Sequence, residues 1–173
     1  MPSDLYRFVD TAEAAPTLAV NGEPVALEMD RGYATLTRTW QPGAEIALDL
    51  PMPVRRVAAQ RRVEADRGRV ALQRGPLVYC AEWPDNPGGA VRDLLLPDDA
   101  ALQAEFAPDL LGGVVVLKGQ AIRPGRDASG RPARLAQDFT AIPYHAWANR
   151  GPGEMIVWLR RRDPRPPLTA APP

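Results

Sequence analysis

Proline is the residue that most constrains how this chain folds, because it supplies 20 of the 173 residues. An average protein contains about 5% proline. Proline lacks a backbone N–H and has a fixed φ, so it is disfavoured inside helices and central strands. The prolines are spread from Pro2 to Pro173 and interrupt the apolar runs, which are short. This spacing predicts many short elements and an all-β fold.

Alternating apolar and polar residues mark individual strands. Leu18 and Val20 precede Asn21-Gly22, a pair that accepts the positive φ values of a tight hairpin turn, and a second alternating run follows. Residues 33–40 and 46–50 alternate in the same way. Roughly eleven such segments and almost no helical periodicity predict antiparallel β-sandwich modules.

Composition shifts along the chain predict its division into modules. Residues 84–89, rich in proline, glycine and asparagine, form a predicted boundary. Residues 1–83 are interpreted as the later strands of a first β-sandwich, incomplete at its N-terminal side, and residues 84–160 as a second β-sandwich. Residues 161–173, rich in proline and arginine, are predicted to be a disordered tail. Residues 123–134 are predicted to form a long surface loop.

Charge and cysteine usage narrow the possible functions. The chain has 21 basic and 21 acidic residues, one cysteine and one histidine. Zero net charge disfavours nucleic acid and anionic membranes as partners. One cysteine excludes a disulfide framework and a zinc-finger site. Neither a signal peptide nor a long apolar segment is visible, which predicts a cytoplasmic location.

Residues 142–151 concentrate polar and aromatic side chains. Tyr144, His145, Trp147 and Asn149, with Trp83, could form a sugar-binding platform, because aromatic rings stack on sugars while polar neighbours bond to hydroxyl groups. Alternatively, Tyr144 and Trp147 close the core and His145 satisfies a backbone carbonyl.

Catalytic candidates are few. Glu82 and Glu154 are the acids to consider first for glycoside hydrolysis, which uses two carboxylates, but the interpretation that the sequence favours for both is a solvated charge at a strand end. Cys80 lies in the strand-like sequence Leu-Val-Tyr-Cys-Ala and is interpreted as a buried structural thiol with no metal partner at ligand spacing.

Three stretches together resemble the C-terminal region of glycoside hydrolase family 127, the β-L-arabinofuranosidases. The first is Val20-Asn21-Gly22-Glu23-Pro24, running into Arg31-Gly32-Tyr33 and the later Leu50-Pro51-Met52-Pro53-Val54-Arg55-Arg56-Val57. The second is Gly68-Arg69-Val70-Ala71-Leu72-Gln73-Arg74-Gly75-Pro76-Leu77-Val78-Tyr79-Cys80. The third is Ile142-Pro143-Tyr144-His145-Ala146-Trp147-Ala148-Asn149-Arg150-Gly151.

The resemblance implies a non-catalytic accessory region of a larger hydrolase. Members of the family have an (α/α)6 barrel that holds the active site, with a cysteine nucleophile in a zinc-thiolate centre. Cys80 is followed by Ala81, which does not match the family's adjacent-cysteine motif. The resemblance therefore implies no catalytic residue, metal ligand or cofactor in this chain, with zinc confined to the barrel, and it implies the barrel as the main partner.

Two other functions remain open from the sequence. The chain could be a free-standing carbohydrate-binding module for arabinose-containing oligosaccharides, or a structural dimerisation module. If the first β-sandwich is incomplete, its uncovered apolar faces and strand edges predict self-association of the isolated chain.

Overall fold

Antiparallel strands make up most of the ordered structure, and the fold is all-β as the proline spacing predicts. The computed structural model describes residues 4–9 and 15–161. The predicted disordered tail at 161–173 lies outside these ranges except for Arg161. Within the described part of the chain, no helix is long and apolar enough to span a membrane.

The described residues contain fourteen strands and three short 3-10 helices. The strands are β1 (Tyr6–Phe8), β2 (Thr17–Val20), β3 (Glu23–Val25), β4 (Glu28–Asp30), β5 (Tyr33–Thr35), β6 (Ile46–Asp49), β7 (Val54–Ala59), β8 (Arg69–Arg74), β9 (Leu77–Glu82), β10 (Leu102–Ala107), β11 (Val114–Arg126), β12 (Pro132–Pro143), β13 (Met155–Ile156) and β14 (Leu159–Arg160). The 3-10 helices are Glu64–Asp66, Trp83–Asp85 and Tyr144–Ala146.

The chain divides into two compact units. The smaller unit, Ala12–Pro53, holds the three-stranded sheet β3-β2-β6 and the β4-β5 hairpin. The predicted Asn21-Gly22 turn joins β2 to β3, with φ values of 53° and 81° at its two residues. Val20 is the only buried residue among residues 15–53. The smaller unit therefore has almost no core of its own.

The larger unit combines residues 1–11 with residues 54–173. Its sheet has the order β1-β7-β8-β9-β12-β11-β10, with β13 added to β9 and β14 added to β8. The main core lies among β8, β9, β11, β12 and the loop that precedes β10. Its buried members are Val70, Leu72, Tyr79, Ala81, Val91, Leu94, Leu96, Leu117, Ala121, Phe139, Ala141 and Leu159.

The predicted boundary between residues 83 and 84 falls inside the larger unit, whereas the structure divides the chain at Val54. The physical reason is strand pairing. Strands β8 and β9, which precede the predicted boundary, pair with β12, β13 and β14, which follow it. The proline- and glycine-rich segment after β9 is thus a loop within one unit.

Residues 123–134, predicted as a long loop, instead form the end of the β11–β12 hairpin. Asp127 N donates to Arg131 O at 2.9 Å, so residues 127 and 131 form a hydrogen-bonded pair. Pairs alternate along an antiparallel ladder. Pro124 and Pro132 therefore occupy positions whose N–H would point away from the partner strand. The two prolines cost this hairpin no ladder hydrogen bond.

Candidate functional site

The segment that follows β12 presents two aromatic rings at the surface. Tyr144 and Trp147 are 45% and 37% exposed, and their ring centroids lie 6.1 Å apart at 31°. Tyr144 begins the 3-10 helix Tyr144–Ala146, whose Ala146 is buried, and Trp147 follows its end. The two rings are exposed, which disagrees with the alternative in which they close the core. We call Tyr144 and Trp147 the aromatic pair.

The other sequence-predicted site residues have different roles. His145 is exposed. Asn149 is exposed, but its amide donates to the carbonyl oxygens of Ala146 (3.0 Å) and Trp147 (3.2 Å). Its amide nitrogen therefore fixes the loop, which leaves the side-chain oxygen as its polar group for a ligand.

Trp83 belongs to the neighbouring 3-10 helix, directly after β9, and is half-buried. A Cβ atom at Gly153 would collide with its indole ring. Its Nε1 is buried without a hydrogen-bond partner, while its backbone N–H donates to Glu154 O at 2.9 Å. Trp83 therefore packs the 149–154 loop against the end of β9.

A buried charge cluster holds the loop of the aromatic pair in place. Arg150 donates to both carboxylate oxygens of Asp85, at 2.6 and 2.5 Å, and to Glu82 Oε2. The Glu82 side chain is only 3% exposed. Hydrogen bonds to Asp85, and then to Glu82, raise the pKa of the Arg150 guanidinium despite its partial burial. We call Arg150, Glu82 and Asp85 the arginine clamp.

The clamp also reaches the strained backbone of the loop. Glu82 Oε1 accepts a hydrogen bond from Ala148 N at 3.1 Å, and Ala148 has a φ of 65°. A non-glycine residue in this region is strained and persists where its surroundings hold it. The loop conformation is therefore fixed by contacts with β9.

Asn86 ties the same region to β12. Its amide nitrogen donates to Glu82 O and Thr140 O, each at 2.9 Å, and its amide oxygen accepts from Thr140 N at 3.1 Å. Asn86 is buried, and these bonds satisfy its amide. The aromatic pair thus stands on a loop anchored to two strands.

The two candidate carboxylates, Glu82 and Glu154, are each bound by other groups of the chain. Glu154 Oε2 accepts hydrogen bonds from Arg92 N (3.2 Å) and Val91 N (2.9 Å), which lower the pKa of Glu154. Glu82 is ion-paired with Arg150. A general acid needs a raised pKa so that it holds a proton at neutral pH. Glu154, whose pKa is lowered, does not fit that role.

Cys80 is 1% exposed and lies in a small cluster with Val116 and Ile142. Burial, followed by the charge of Glu82, raises the pKa of the Cys80 thiol to about 12. A buried thiol with a raised pKa is not activated as a nucleophile. Within residues 4–9 and 15–161, no group of three His, Cys, Asp or Glu side chains could hold a metal ion. The described residues therefore do not fit a zinc-thiolate centre.

Sequence reasoning missed Arg150 and Asp85 as functional positions. Arg150 was part of the motif that carried the family resemblance, but no pattern in the sequence paired it with acids 65 and 68 residues away. The signal that could have suggested it is an arginine inside a segment otherwise rich in aromatic and apolar residues.

Two family models match the chain, and the boundary between them falls where the structural units divide at Val54. The model described as "Beta-L-arabinofuranosidase, GH127 middle domain" matches residues 7–52, and the model described as "Glycoside hydrolase family 127 C-terminal domain" matches residues 54–160.

Individual proteins give the same result. The chain is 40% identical over 168 residues to a non-reducing end beta-L-arabinofuranosidase of Bifidobacterium longum subsp. longum, covering 90% of this chain and 25% of that protein. A solved GH127 beta-arabinofuranosidase superposes with a TM-score of 0.87 at 39% identity, covering 94% of this chain and 25% of that one. A GH127 beta-L-arabinofuranosidase from Geobacillus stearothermophilus T6 superposes with a TM-score of 0.78 at 45% identity, covering 86% and 25%. The chain thus spans about a quarter of the length of these relatives.

Proposed function

Because the chain belongs to glycoside hydrolase family 127, we propose that it is the accessory β-sandwich region of a larger β-L-arabinofuranosidase-like enzyme, with catalysis carried out outside these 173 residues. One observation carries the proposal: the middle-domain and C-terminal-domain models together account for residues 7–160, while the relatives are four times as long. The partner that we propose is the (α/α)6 barrel of such an enzyme, with zinc bound in the barrel.

The side chains of this region support a structural role. Glu82, Glu154 and Cys80, the sequence's candidates for chemistry, are each engaged in packing or hydrogen bonding. The smaller unit buries only Val20 among its described residues. A unit of that size needs an external surface to pack on, because it buries too little apolar area to offset chain entropy.

A graft tests the accessory role. The Bifidobacterium relative would be shortened by the quarter that matches this chain, and this chain would be joined in its place. We expect the shortened protein to lose solubility and thermal stability, and the graft to restore both. A graft that carries Arg150→Ala is the matched control and should restore less. A shortened protein as stable as the intact relative would contradict the role.

As a second function, we propose that the aromatic pair contacts carbohydrate, with His145, Asn149 and Trp83 as its neighbours. The supporting observation is that two large rings are exposed on a loop that the arginine clamp holds in place. Exposed aromatic faces stack on the apolar faces of sugar rings, and a preformed loop loses little entropy on binding.

Titration of arabino-oligosaccharides against tryptophan fluorescence tests this second function. We expect a saturable change for the wild-type chain and for Trp40→Ala, which removes an equally exposed tryptophan from the smaller unit. Trp147→Ala should abolish the change. No change in the wild-type chain would rule out carbohydrate contact at the aromatic pair and leave the accessory role untouched.

A further inference from the structure

The turn between β2 and β3 places a chemically labile pair of residues at the surface. Asn21-Gly22 is the only place in the sequence where glycine follows an asparagine or an aspartate. Both residues are exposed, and a Cβ atom built on Gly22 would have no atom within 4 Å. Because glycine has no side chain, its backbone nitrogen can approach the side-chain amide of the preceding residue without a steric clash. The turn therefore offers the residue types and the space that attack on an asparagine amide requires.

The other two asparagines of the sequence lack these features. Asn86 is buried, and it precedes Pro87, which has no backbone N–H to lose. Asn149 precedes Arg150, whose side chain hinders the approach of the backbone nitrogen. The Asn149 amide nitrogen is also held by two carbonyl oxygens of its own loop. The chain thus contains two internal controls for the chemistry of Asn21.

Ring closure at this pair requires the turn to open. Asn21 and Gly22 have the positive φ values of a tight hairpin turn, whereas a five-membered ring formed between them needs a different ψ at Asn21. Local opening costs little where few apolar groups are buried. Val20 is the only buried residue among residues 15–53. The smaller unit can therefore reach the open conformation without unfolding the larger one.

We propose that Asn21 is a site of spontaneous deamidation, which converts it to aspartate and isoaspartate through a cyclic succinimide. The Gly22 nitrogen loses its proton to a solvent base and forms a bond with Asn21 Cγ. The bond from Cγ to Nδ2 breaks, and Nδ2 takes up a proton and leaves as ammonia. Water then opens the ring. Cleavage of the new bond gives aspartate, and cleavage of the original peptide bond gives isoaspartate, whose backbone runs through Cβ and Cγ.

The isoaspartate form is incompatible with the sheet β3-β2-β6 as it stands. Asn21 N donates to Glu45 O and Glu45 N donates to Asn21 Oδ1, each at 2.9 Å, so Asn21 joins the turn to the start of β6. Isoaspartate makes the backbone of the turn one methylene group longer. The pair Val20 and Glu23 and both bonds to Glu45 cannot then be kept together. The new carboxylate also places a second negative charge beside Glu45. Deamidation therefore loosens the smaller unit as the protein ages.

Peptide mapping by mass spectrometry, after incubation of the chain at mildly alkaline pH, tests the proposal. Because the Gly22 nitrogen must lose its proton, we expect the converted fraction of Asn21 to rise with time and with pH. A protein isoaspartyl methyltransferase identifies the isoaspartate. Asn86 and Asn149 in the same digest should remain amides. Gly22→Ala should slow the conversion by about tenfold or more, because its methyl group obstructs the attacking nitrogen.

The variant Asn21→Gly tests whether the modification loosens the sheet. A Gly-Gly pair also fits this type of turn, so the variant should keep the hairpin while it has no amide to convert. Hydrogen exchange in β2 and β6 should become faster in the aged wild-type chain, in step with its isoaspartate content. Exchange in aged Asn21→Gly should stay as it is in the fresh variant.

A synthetic peptide of residues 17–25 supplies the reference for an unfolded turn. A folded chain in which Asn21 stays intact after the peptide has converted would overturn the proposal. Equal conversion of the three asparagines, or conversion that Gly22→Ala leaves as fast, would also overturn it. So would a converted chain whose β2 and β6 exchange no faster than those of Asn21→Gly.

Discussion

At the scale of single residues, Arg150 holds a structural position that the sequence did not suggest. Its guanidinium neutralises two acids, of which Glu82 is almost fully buried, and connects the loop of the aromatic pair to β9. Removing one member of a buried ion pair leaves an uncompensated charge, which costs more than the pair itself contributes. The arginine clamp is therefore a sensitive point of the larger unit.

Arg150→Ala should lower the free energy of unfolding by about 3–5 kcal/mol, because Glu82 and Asp85 would lose their common cation. Urea denaturation measures this. The control is Arg62→Ala, which removes an exposed ion pair with Asp4 and should cost about 1 kcal/mol or less. Equal losses for the two variants would show that the clamp is no stronger than a surface pair.

Gly153 contacts the indole ring of Trp83 so closely that a Cβ atom cannot fit. Gly153→Ala should therefore displace Trp83, destabilise the chain by about 1–3 kcal/mol and shift its tryptophan emission to longer wavelength. Pro152→Ala, at the exposed neighbouring position, should change neither property. An unchanged emission spectrum for Gly153→Ala would contradict this packing.

At the scale of elements, Glu154 connects the loop before β13 to the loop that contains Val91 and Arg92. The two backbone N–H groups hold the pKa of Glu154 below its usual value of 4.5, with Arg92 as the larger cause. A lowered pKa stabilises the folded state above pH 4.5. This contribution is lost as the pH falls through the lower pKa of the folded state.

Glu154→Gln should therefore be less stable than the wild-type chain at pH 7, and the difference should shrink as the pH falls below 4.5. Thermal unfolding at several pH values measures the difference. The control is Glu23→Gln, since Glu23 is exposed. A difference that stays constant with pH would mean that the charge of Glu154 does not stabilise the connection.

The sequence predicted the elements where local patterns decide them. Strand β6 lies within the predicted run 46–50, and the Asn21-Gly22 hairpin is confirmed. The prediction of a long loop at residues 123–134 was wrong, because this segment is the end of the β11–β12 hairpin. Prolines are typical of loops, and only the strand register shows that these two fit the hairpin. The predicted strand at residues 33–40 shortens to Tyr33–Thr35.

The clamp and the unit boundary depend on contacts between distant residues, and for this reason the sequence could not predict them. Asp85 and Arg150 are 65 residues apart, and strands from both sides of the predicted boundary share one sheet. The aromatic pair was found because its two members lie three residues apart in one motif. Only the structure shows that the two rings are exposed at the surface and are not part of the core.

At the scale of the whole molecule, the chain combines a well-packed larger unit with a smaller unit that has almost no core. Its membership of glycoside hydrolase family 127 and its coverage of about a quarter of the relatives support the proposal that it is a region of a larger enzyme. The twenty prolines fit this account, since many lie in or beside short strands and turns. The one cysteine is buried and protonated and contributes to packing.

Hydrolysis of an aryl β-L-arabinofuranoside by the purified chain tests the central claim most directly. The assay would contain zinc and a reducing agent, with the intact Bifidobacterium relative as the positive control. The account predicts no release of the aryl group above the blank, both for the wild-type chain and for Cys80→Ala. Hydrolytic activity that co-purifies with the chain would contradict the account. If the Cys80→Ala variant kept that activity, residues other than Cys80 would carry out the chemistry.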